Sequence, residues 1–108
     1  MLNPSDIVII PFPYSDLKAN KRRPVLVLQS VDKYGDFLAV AITTKQHHSN
    51  SCTLSSADFE TGNLPRLSYV RINKLYTLNT ASVLFTCGKL QLSAFNRIQS
   101  GVCKYLSC

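Results

Sequence analysis

The sequence predicts a mainly β protein with a C-terminal helix, in the form of a small barrel or curled sheet that the helix closes. Short runs of β-branched and aliphatic residues recur along most of the chain, with turn residues between them. After Ser93 the apolar residues change to helical spacing. Neither an internal repeat nor a linker divides the 108 residues, so we expect one domain, residues 1–108.

The first three strands are predicted from apolar runs of four to eight residues. They are residues 6–10, 24–31 and 37–43. Pro11 and Pro13 end the first run, because proline cannot donate a backbone hydrogen bond. The polar segment 14–22 then indicates a loop, and Gly35 marks the turn between the second and third strands.

Shorter strand signals follow, and the chain ends in a helix. The strand signals are residues 52–54, 67–72, 74–77 and 83–90, and residues 56–66 are expected to be irregular. Ser93 is a good N-cap for the final helix. The apolar stripe expected to face the core consists of Phe95, Ile98, Val102 and Leu106.

Composition excludes several classes of protein. An apolar content of 45% with only 17% charged residues excludes a disordered chain. A net charge of +6 favours an anionic partner, such as nucleic acid, an acidic peptide or a membrane surface. No apolar run approaches the ~20 residues of a membrane span, and the start lacks a signal peptide. We therefore expect a cytoplasmic protein with no membrane partner.

Cysteine and histidine give no convincing metal signal. The four cysteines match neither a CxxC pair nor a zinc pattern, so reduced thiols are expected. Cys87 and Cys103 are expected to be small core residues, and Cys108 a terminal thiol. His47 and His48 are adjacent, and neighbours on an extended chain point in opposite directions. We expect no metal and no cofactor.

The most informative stretch is Lys21-Arg22-Arg23-Pro24, which leads directly into a β-branched run. Pro24 favours an extended conformation for Arg23, so the cations are expected at the end of a loop, immediately before a strand. A guanidinium held there could clamp a phosphate through two hydrogen bonds. The alternative is an ordinary solvated basic loop.

Thr43 and Thr44 end the third strand, and Arg71 ends a later one. Strand ends at one rim can converge, and arginines with a hydroxyl suit phosphodiester transfer in RNA. Guanidinium groups can neutralise the charge of a phosphorane, while a hydroxyl can hold a phosphate oxygen or the ribose 2′-OH. The alternative for the threonines is a structural role, since threonine is common in strands.

Several blocks resemble the MazF/PemK family of type II toxin–antitoxin ribonucleases, often called mRNA interferases. The blocks are residues 5–8, 11–16, 22–28, 41–44, 68–78 and 88–90. The resemblance implies an SH3-like barrel with a C-terminal helix, assembled as a homodimer with RNA in the groove between subunits. It implies metal-independent cleavage of single-stranded RNA to a 2′,3′-cyclic phosphate and a 5′-hydroxyl. A cognate antitoxin would block the site, and the toxin–antitoxin complex would bind DNA.

The resemblance also implies roles for individual residues. Arg23 matches the family's catalytic arginine, Thr43 its catalytic threonine, and Arg71 an arginine that acts as an acid/base element in the PemK-like branch. Residues expected to bind RNA are Lys18, Lys21, Arg22 and Thr44, and the candidates for base stacking are Phe12, Tyr14 and Tyr34.

Two residues depart from the family pattern. Ser5 stands where glycine is usual, which we expect to be harmless at the start of a strand. Asn73 stands where the PemK-like branch has aspartate, and an asparagine cannot act as a general base. Two alternatives therefore stay open beside the ribonuclease. One is a catalytically silent barrel that binds a protein such as a topoisomerase, and the other is a basic nucleic-acid-binding module.

Overall fold

The computed structural model describes residues 2–11, 21–46 and 49–108. They form seven β-strands, two short 3-10 turns and one α-helix. The strands are β1 (Asp6–Pro11), β2 (Arg22–Val27), β3 (Asp36–Thr43), β4 (Ser51–Leu54), β5 (Phe59–Gly62), β6 (Ser68–Asn79) and β7 (Phe85–Leu90). The helix is α1 (Leu92–Leu106), and the 3-10 turns are Ser56–Asp58 and Thr80–Ser82.

All the strands belong to one antiparallel sheet, in the order β4-β6-β3-β2-β1-β7-β5. The edge strands β4 and β5 follow one another in the chain and are joined across the 3-10 turn at Ser56–Asp58, so the sheet curls back towards itself. The predicted fold class, mainly β with a small barrel or curled sheet closed by a C-terminal helix, is confirmed, and the sheet is an antiparallel half-barrel.

Alternate residues of the strands form two separate hydrophobic clusters, as the two-residue period of a strand requires. The larger cluster lies between the sheet and α1. It includes Ile7, Leu26, Val40, Leu54, Val70, Leu90 and Ile98. The smaller cluster lies on the opposite face and consists of Val8, Ile10, Val25, Val27, Phe37 and Ala39. The central strands β1, β2 and β3 are therefore covered on both faces.

The helix differs from its prediction at both ends. Gln91 is its N-cap, and Ser93 lies inside the first turn. The buried residues of the helix are Ala94, Phe95, Ile98 and Val102. Leu106, expected in the buried stripe, is 55% exposed, so the stripe ends at Val102. None of the described residues forms a helix with the length and hydropathy of a bilayer span.

Three strand predictions also need correction. β2 begins at Arg22 and ends at Val27, so Arg22 and Arg23 lie within the strand, and of the three cations only Lys21 precedes it. Residues 59–62, expected to be irregular, form β5. The two segments 67–72 and 74–77 are parts of one strand, β6, which contains a register shift opposite Val40 and Ala41.

The cysteines are free thiols, but only one of the two expected core cysteines packs in the interior. Cys87 contacts the larger cluster, and burial raises the pKa of its thiol. Cys103 is exposed on α1, and a hydrogen bond with the Cys108 thiol raises the pKa of Cys103. The core prediction for Cys103 is therefore wrong, because the buried stripe of α1 ends at Val102.

Ser5 adopts a backbone conformation that side chains disfavour. Its φ is 81°, in the left-handed region where glycine is the usual residue. The conformation lets Ser5 N donate to Val27 O (3.0 Å) while Ser5 O accepts from Leu90 N (3.0 Å). Ser5 thus joins β2 to β7 beside the start of β1. The expectation that a serine is harmless here is wrong, because the position itself requires a positive φ.

Replacing Ser5 with glycine is expected to stabilise the fold. A left-handed conformation costs a residue with a Cβ about 1–2 kcal/mol, and glycine avoids this cost. Part of the stabilisation is offset because glycine loses more conformational entropy on folding. We expect Ser5→Gly to raise the free energy of unfolding by about 0.5–1 kcal/mol, measured by urea denaturation. Ser30 is exposed and has no positive φ, so Ser30→Gly should lower it slightly. Equal effects of the two variants would contradict the strain at Ser5.

Candidate functional site

Two rows of side chains cross strands β4, β6 and β3 on one face of the sheet. In the first row, Thr53 pairs with Tyr69, which pairs with Thr43. In the second row, Ser51 pairs with Arg71, which pairs with Ala41. Directly opposed residues of an antiparallel ladder project to the same face, with Cβ atoms about 4.5–5.5 Å apart. Thr43 and Arg71 are therefore diagonal neighbours on this face.

The register shift in β6 is what brings Arg71 into the second row. Val40 pairs with Leu75, but the next residue, Ala41, pairs with Arg71. Without the shift, Ala41 would pair with Lys74. The three intervening residues of β6 form a bulge, and bulges re-aim the side chains beside them.

Pro24 ends the ladder between β2 and β3 at Val25–Ala41. Leu28 N donates to Leu38 O (2.8 Å), and hydrogen-bonded pairs recur at every second residue of an antiparallel ladder. The next such pairs are Leu26 with Val40 and then position 24 with Ile42. Proline has no N–H to complete that last pair. The two strands are therefore free to separate beyond it.

Arg23 and Thr43 lie just past this last paired position. If the β2–β3 register is continued by two residues, Arg23 stands opposite Thr43, at the end of the first row. The Arg23 side chain is exposed, and those of Thr43 and Arg71 are half-buried. The small side chain of Ala41 lies among them. Two guanidinium groups and a hydroxyl thus lie on one face of the sheet, around Ala41.

Local hydrogen bonds orient the polar groups of the first row. Thr43 Oγ1 accepts from Lys45 N (3.1 Å), which leaves the hydroxyl proton to be donated to another group. Tyr69 Oη donates to Gln46 Oε1 (3.1 Å) and so ties the segment after β3 to β6. The segment just after β3 is therefore held by Thr43 and Tyr69, two side chains of the same row.

The predicted RNA-binding residues are distributed over more than one surface. Arg22 pairs with Pro11 and projects to the opposite face from Arg23. Lys21 and Thr44 are exposed, one immediately before β2 and the other immediately after β3. The predicted residues Lys18, Phe12 and Tyr14 lie outside the described residues.

Tyr34 does not belong to the site. It is exposed in the turn before β3, whereas Thr43 is the last residue of that eight-residue strand. At about 3.3 Å per residue the two ends of β3 are roughly 23 Å apart. Tyr34 is therefore excluded as a stacking partner for a base bound beside Thr43.

Two buried polar atoms of β6 have no hydrogen-bond partner among the described residues. Arg71 Nε and Asn73 Oδ1 are inaccessible to solvent, and neither has a hydrogen-bond partner within the described part of the chain. One atom is a donor and the other an acceptor. Within the described ranges there is also no group of three His, Cys, Asp or Glu side chains that could hold a metal ion. His47 and His48 lie outside these ranges.

A family model for the PemK-like, MazF-like toxins of type II toxin–antitoxin systems matches residues 3–106. The chain belongs to this family. No curated protein matches this toxin in sequence.

Solved structures resemble the toxin in fold. An endoribonuclease in complex with its cognate antitoxin, from a mycobacterial species, superposes with a TM-score of 0.78 at 16% identity, covering 99% of this chain and 96% of that one. MazF from Deinococcus radiodurans gives 0.77 at 17% identity, covering 99% and 97%. The Mycobacterium tuberculosis toxin MazF-mt6 gives 0.72 at 17% identity, covering 94% and 96%. At these identities the similarity establishes the fold.

Tyr69 lies in the same row as Thr43, and the sequence analysis did not single it out. It lies two residues before Arg71 in a strand, and this spacing puts both side chains on one face. That signal was available in the sequence. The pairing of Tyr69 with Thr43 and Thr53 was not, because it depends on the order and register of three strands.

Proposed function

We propose that this toxin is a metal-independent endoribonuclease that cleaves single-stranded mRNA. The observation that carries the proposal is the clustering of Arg23, Thr43 and Arg71 on one face, where Pro24 ends the β2–β3 ladder. The family membership supports it, as does the description of a mycobacterial structure of the same fold as an endoribonuclease.

In the proposed reaction the ribose 2′-oxygen attacks the adjacent phosphorus, and the bond from phosphorus to the 5′-oxygen breaks. The proton of the 2′-hydroxyl passes to solvent, and the 5′-oxygen gains one. The products are a 2′,3′-cyclic phosphate and a 5′-hydroxyl. Because RNA supplies the nucleophile, the protein need only position the phosphate and stabilise its charge.

Each of the three residues has a distinct role in the proposal. Arg23, exposed and preceding a proline, stabilises the phosphorane and hydrogen-bonds the leaving 5′-oxygen. Thr43, whose Oγ1 already accepts from Lys45 N, donates its hydroxyl proton to a phosphate oxygen. Arg71 adds a second positive charge from the neighbouring row.

The proposal includes partners. Single-stranded RNA is the substrate, two copies of the chain form a homodimer, and a cognate antitoxin protein blocks the site. The antitoxin is supported by the relatives solved with one, from mycobacteria and from Deinococcus radiodurans. Lys18, Lys21 and Thr44 contribute affinity for the RNA backbone, and Arg22 contributes to it from the opposite face of β2.

The first prediction is cleavage in the presence of EDTA. We expect the purified toxin to cut a long unstructured RNA equally with and without chelator, because the proposed chemistry needs no metal ion. Cleavage is followed on denaturing gels, and the ends are identified by phosphatase and kinase sensitivity. Cleavage that is lost in EDTA and restored by a divalent ion would contradict the mechanism. An absence of cleavage in both conditions would favour the silent barrel.

The second prediction concerns Arg23. Removing one preorganised donor to a developing anion costs about 3–4 kcal/mol, or about 10²–10³ in rate, and we expect this loss in Arg23→Ala. Arg23→Lys should not restore the rate, since an ammonium lacks the planar fork of a guanidinium. Single-turnover cleavage rates are the measurement.

Arg22→Ala is the matched control for Arg23→Ala. Arg22 is the preceding residue in the same strand and faces the other side of the sheet, so its replacement should stay within about tenfold of wild type. Thermal melts must show that all variants are folded. Equal rates for Arg22→Ala and Arg23→Ala would remove Arg23 from the reaction.

The third prediction separates affinity from chemistry. Each phosphate neutralised on a single strand adds about 0.7 to the slope of log K against log salt. Replacing Lys18, Lys21 and Arg22 together by alanine should therefore flatten the slope by roughly two units. The pattern of cleaved sites should persist. Binding is measured with an oligonucleotide that carries 2′-deoxyribose at the cleavage site. An unchanged slope would mean that these side chains do not contact RNA.

A further inference from the structure

Arg71, which borders the bulge of β6, and Asn73, which lies in it, each have a buried polar atom without a partner among the described residues. Arg71 Nε carries a hydrogen that should be donated, and Asn73 Oδ1 has lone pairs that should accept. A buried polar group without a hydrogen bond is destabilising, and more so when the group is charged. Nearly all such groups in folded proteins are satisfied, so a complementary pair of exceptions in one strand requires an explanation.

The two side chains are within reach of each other along β6. Arg71 is the last paired residue before the register shift and faces away from the core, and Asn73 is the middle residue of the bulge, so about 6.6 Å of extended strand separates their Cα atoms. Ile72, between them, packs against the core on the opposite face. Both side chains are half-buried, and the long side chain of Arg71 can turn towards the amide of Asn73 by a change of rotamer.

We propose that Asn73 is a positioning residue for Arg71, and that Asn73 Oδ1 accepts from Arg71 Nε when RNA is bound. The inference rests on the proposed ribonuclease function and extends it. With Nε held by the amide, the two terminal nitrogens of the guanidinium face the phosphate together. A guanidinium in this orientation can make two parallel hydrogen bonds to phosphate oxygens. In the free protein the pair is open, and phosphate binding closes it.

This role needs an acceptor and no proton transfer, so an asparagine fulfils it. The amide also remains neutral at every working pH. The wild-type enzyme should therefore show no carboxylate ionisation from position 73 in its pH–rate profile. An asparagine at position 73, where the PemK-like branch has aspartate, is thus compatible with an active enzyme.

The test compares three substitutions at position 73. Asn73→Ala removes the acceptor and should lower kcat about 10- to 100-fold with little change in KM, because orientation is lost while charge is kept. Asn73→Asp keeps an acceptor and should stay within about tenfold of wild type at pH 7. It should also gain an acid limb as the carboxylate is protonated, near pH 4. Asn73→Leu should be as slow as Asn73→Ala. Asn96→Ala, on the exposed face of α1, is the control and should be unchanged.

A second measurement does not depend on cleavage. With a 2′-deoxy oligonucleotide bound, the Arg71 Nε–H resonance should shift and exchange slowly with water in the wild type and in Asn73→Asp. It should do neither in Asn73→Ala. The melting temperature of free Asn73→Leu should equal or exceed that of the wild type, since an unpaired buried acceptor is removed. If Asn73 had a purely structural role, Asn73→Leu would instead have a lower melting temperature than the wild type.

The outcomes are separable from those of the proposed function. If the wild type does not cut RNA, the ribonuclease proposal fails, while the resonance of Arg71 still reports on the pair in the bound complex. If the wild type cuts RNA, three results would overturn the pairing. They are full activity of Asn73→Ala, a rate for Asn73→Asp as low as for Asn73→Ala, or an Nε–H resonance unaffected by position 73.

Discussion

The register shift between β3 and β6 is the constraint on which the candidate site depends. Before it, Val40 and Leu75 pair and help to fill the core under α1; after it, Ala41 pairs with Arg71. Three extra residues of β6 are accommodated against the unbroken strand β3. They change the strand's alternation, so that Ile72 and Leu75 both face the core despite their odd spacing. A core of ordinary aliphatic residues thus coexists with an arginine on the outer face of the same strand.

A second interruption, at Pro24, acts on the other side of β3. The two defects have different origins, an insertion in one strand and a missing N–H in another, yet both lie next to Ala41. Between them the sheet is intact and buried on both faces, with Val25 and Val40 fully inaccessible to solvent. The candidate residues Arg23, Thr43 and Arg71 therefore extend from a framework that is paired and buried up to its last paired residue. Such an arrangement favours preorganisation over closure of a mobile lid.

Much of this architecture was readable from the sequence. The spacing of apolar residues identified most strands and the helix. The position of Arg23 directly before a proline indicated a candidate phosphate-binding residue from the sequence alone. The errors have physical causes. Phe59–Gly62 has too few apolar residues to signal a strand, and it exists because β7 supplies a partner. The positive φ of Ser5 and the bulge in β6 have no local signature, because both are imposed by the pairing of distant strands. The same is true of the rows that join Thr43, Tyr69 and Thr53.

The pairing of β1 with β7 has a consequence for how the molecule is made. Asp6 pairs with Lys89 and Ile9 with Phe85, so the central strand β1 waits for β7, which is synthesised much later. Contacts this distant in sequence form late and slowly, since a long loop must close first. Until then Ile7 and Val8 have no complete sheet to bury them, and α1 has no finished surface on which to dock. A nascent chain on the ribosome would therefore lack the completed sheet behind its candidate site until β7 has emerged.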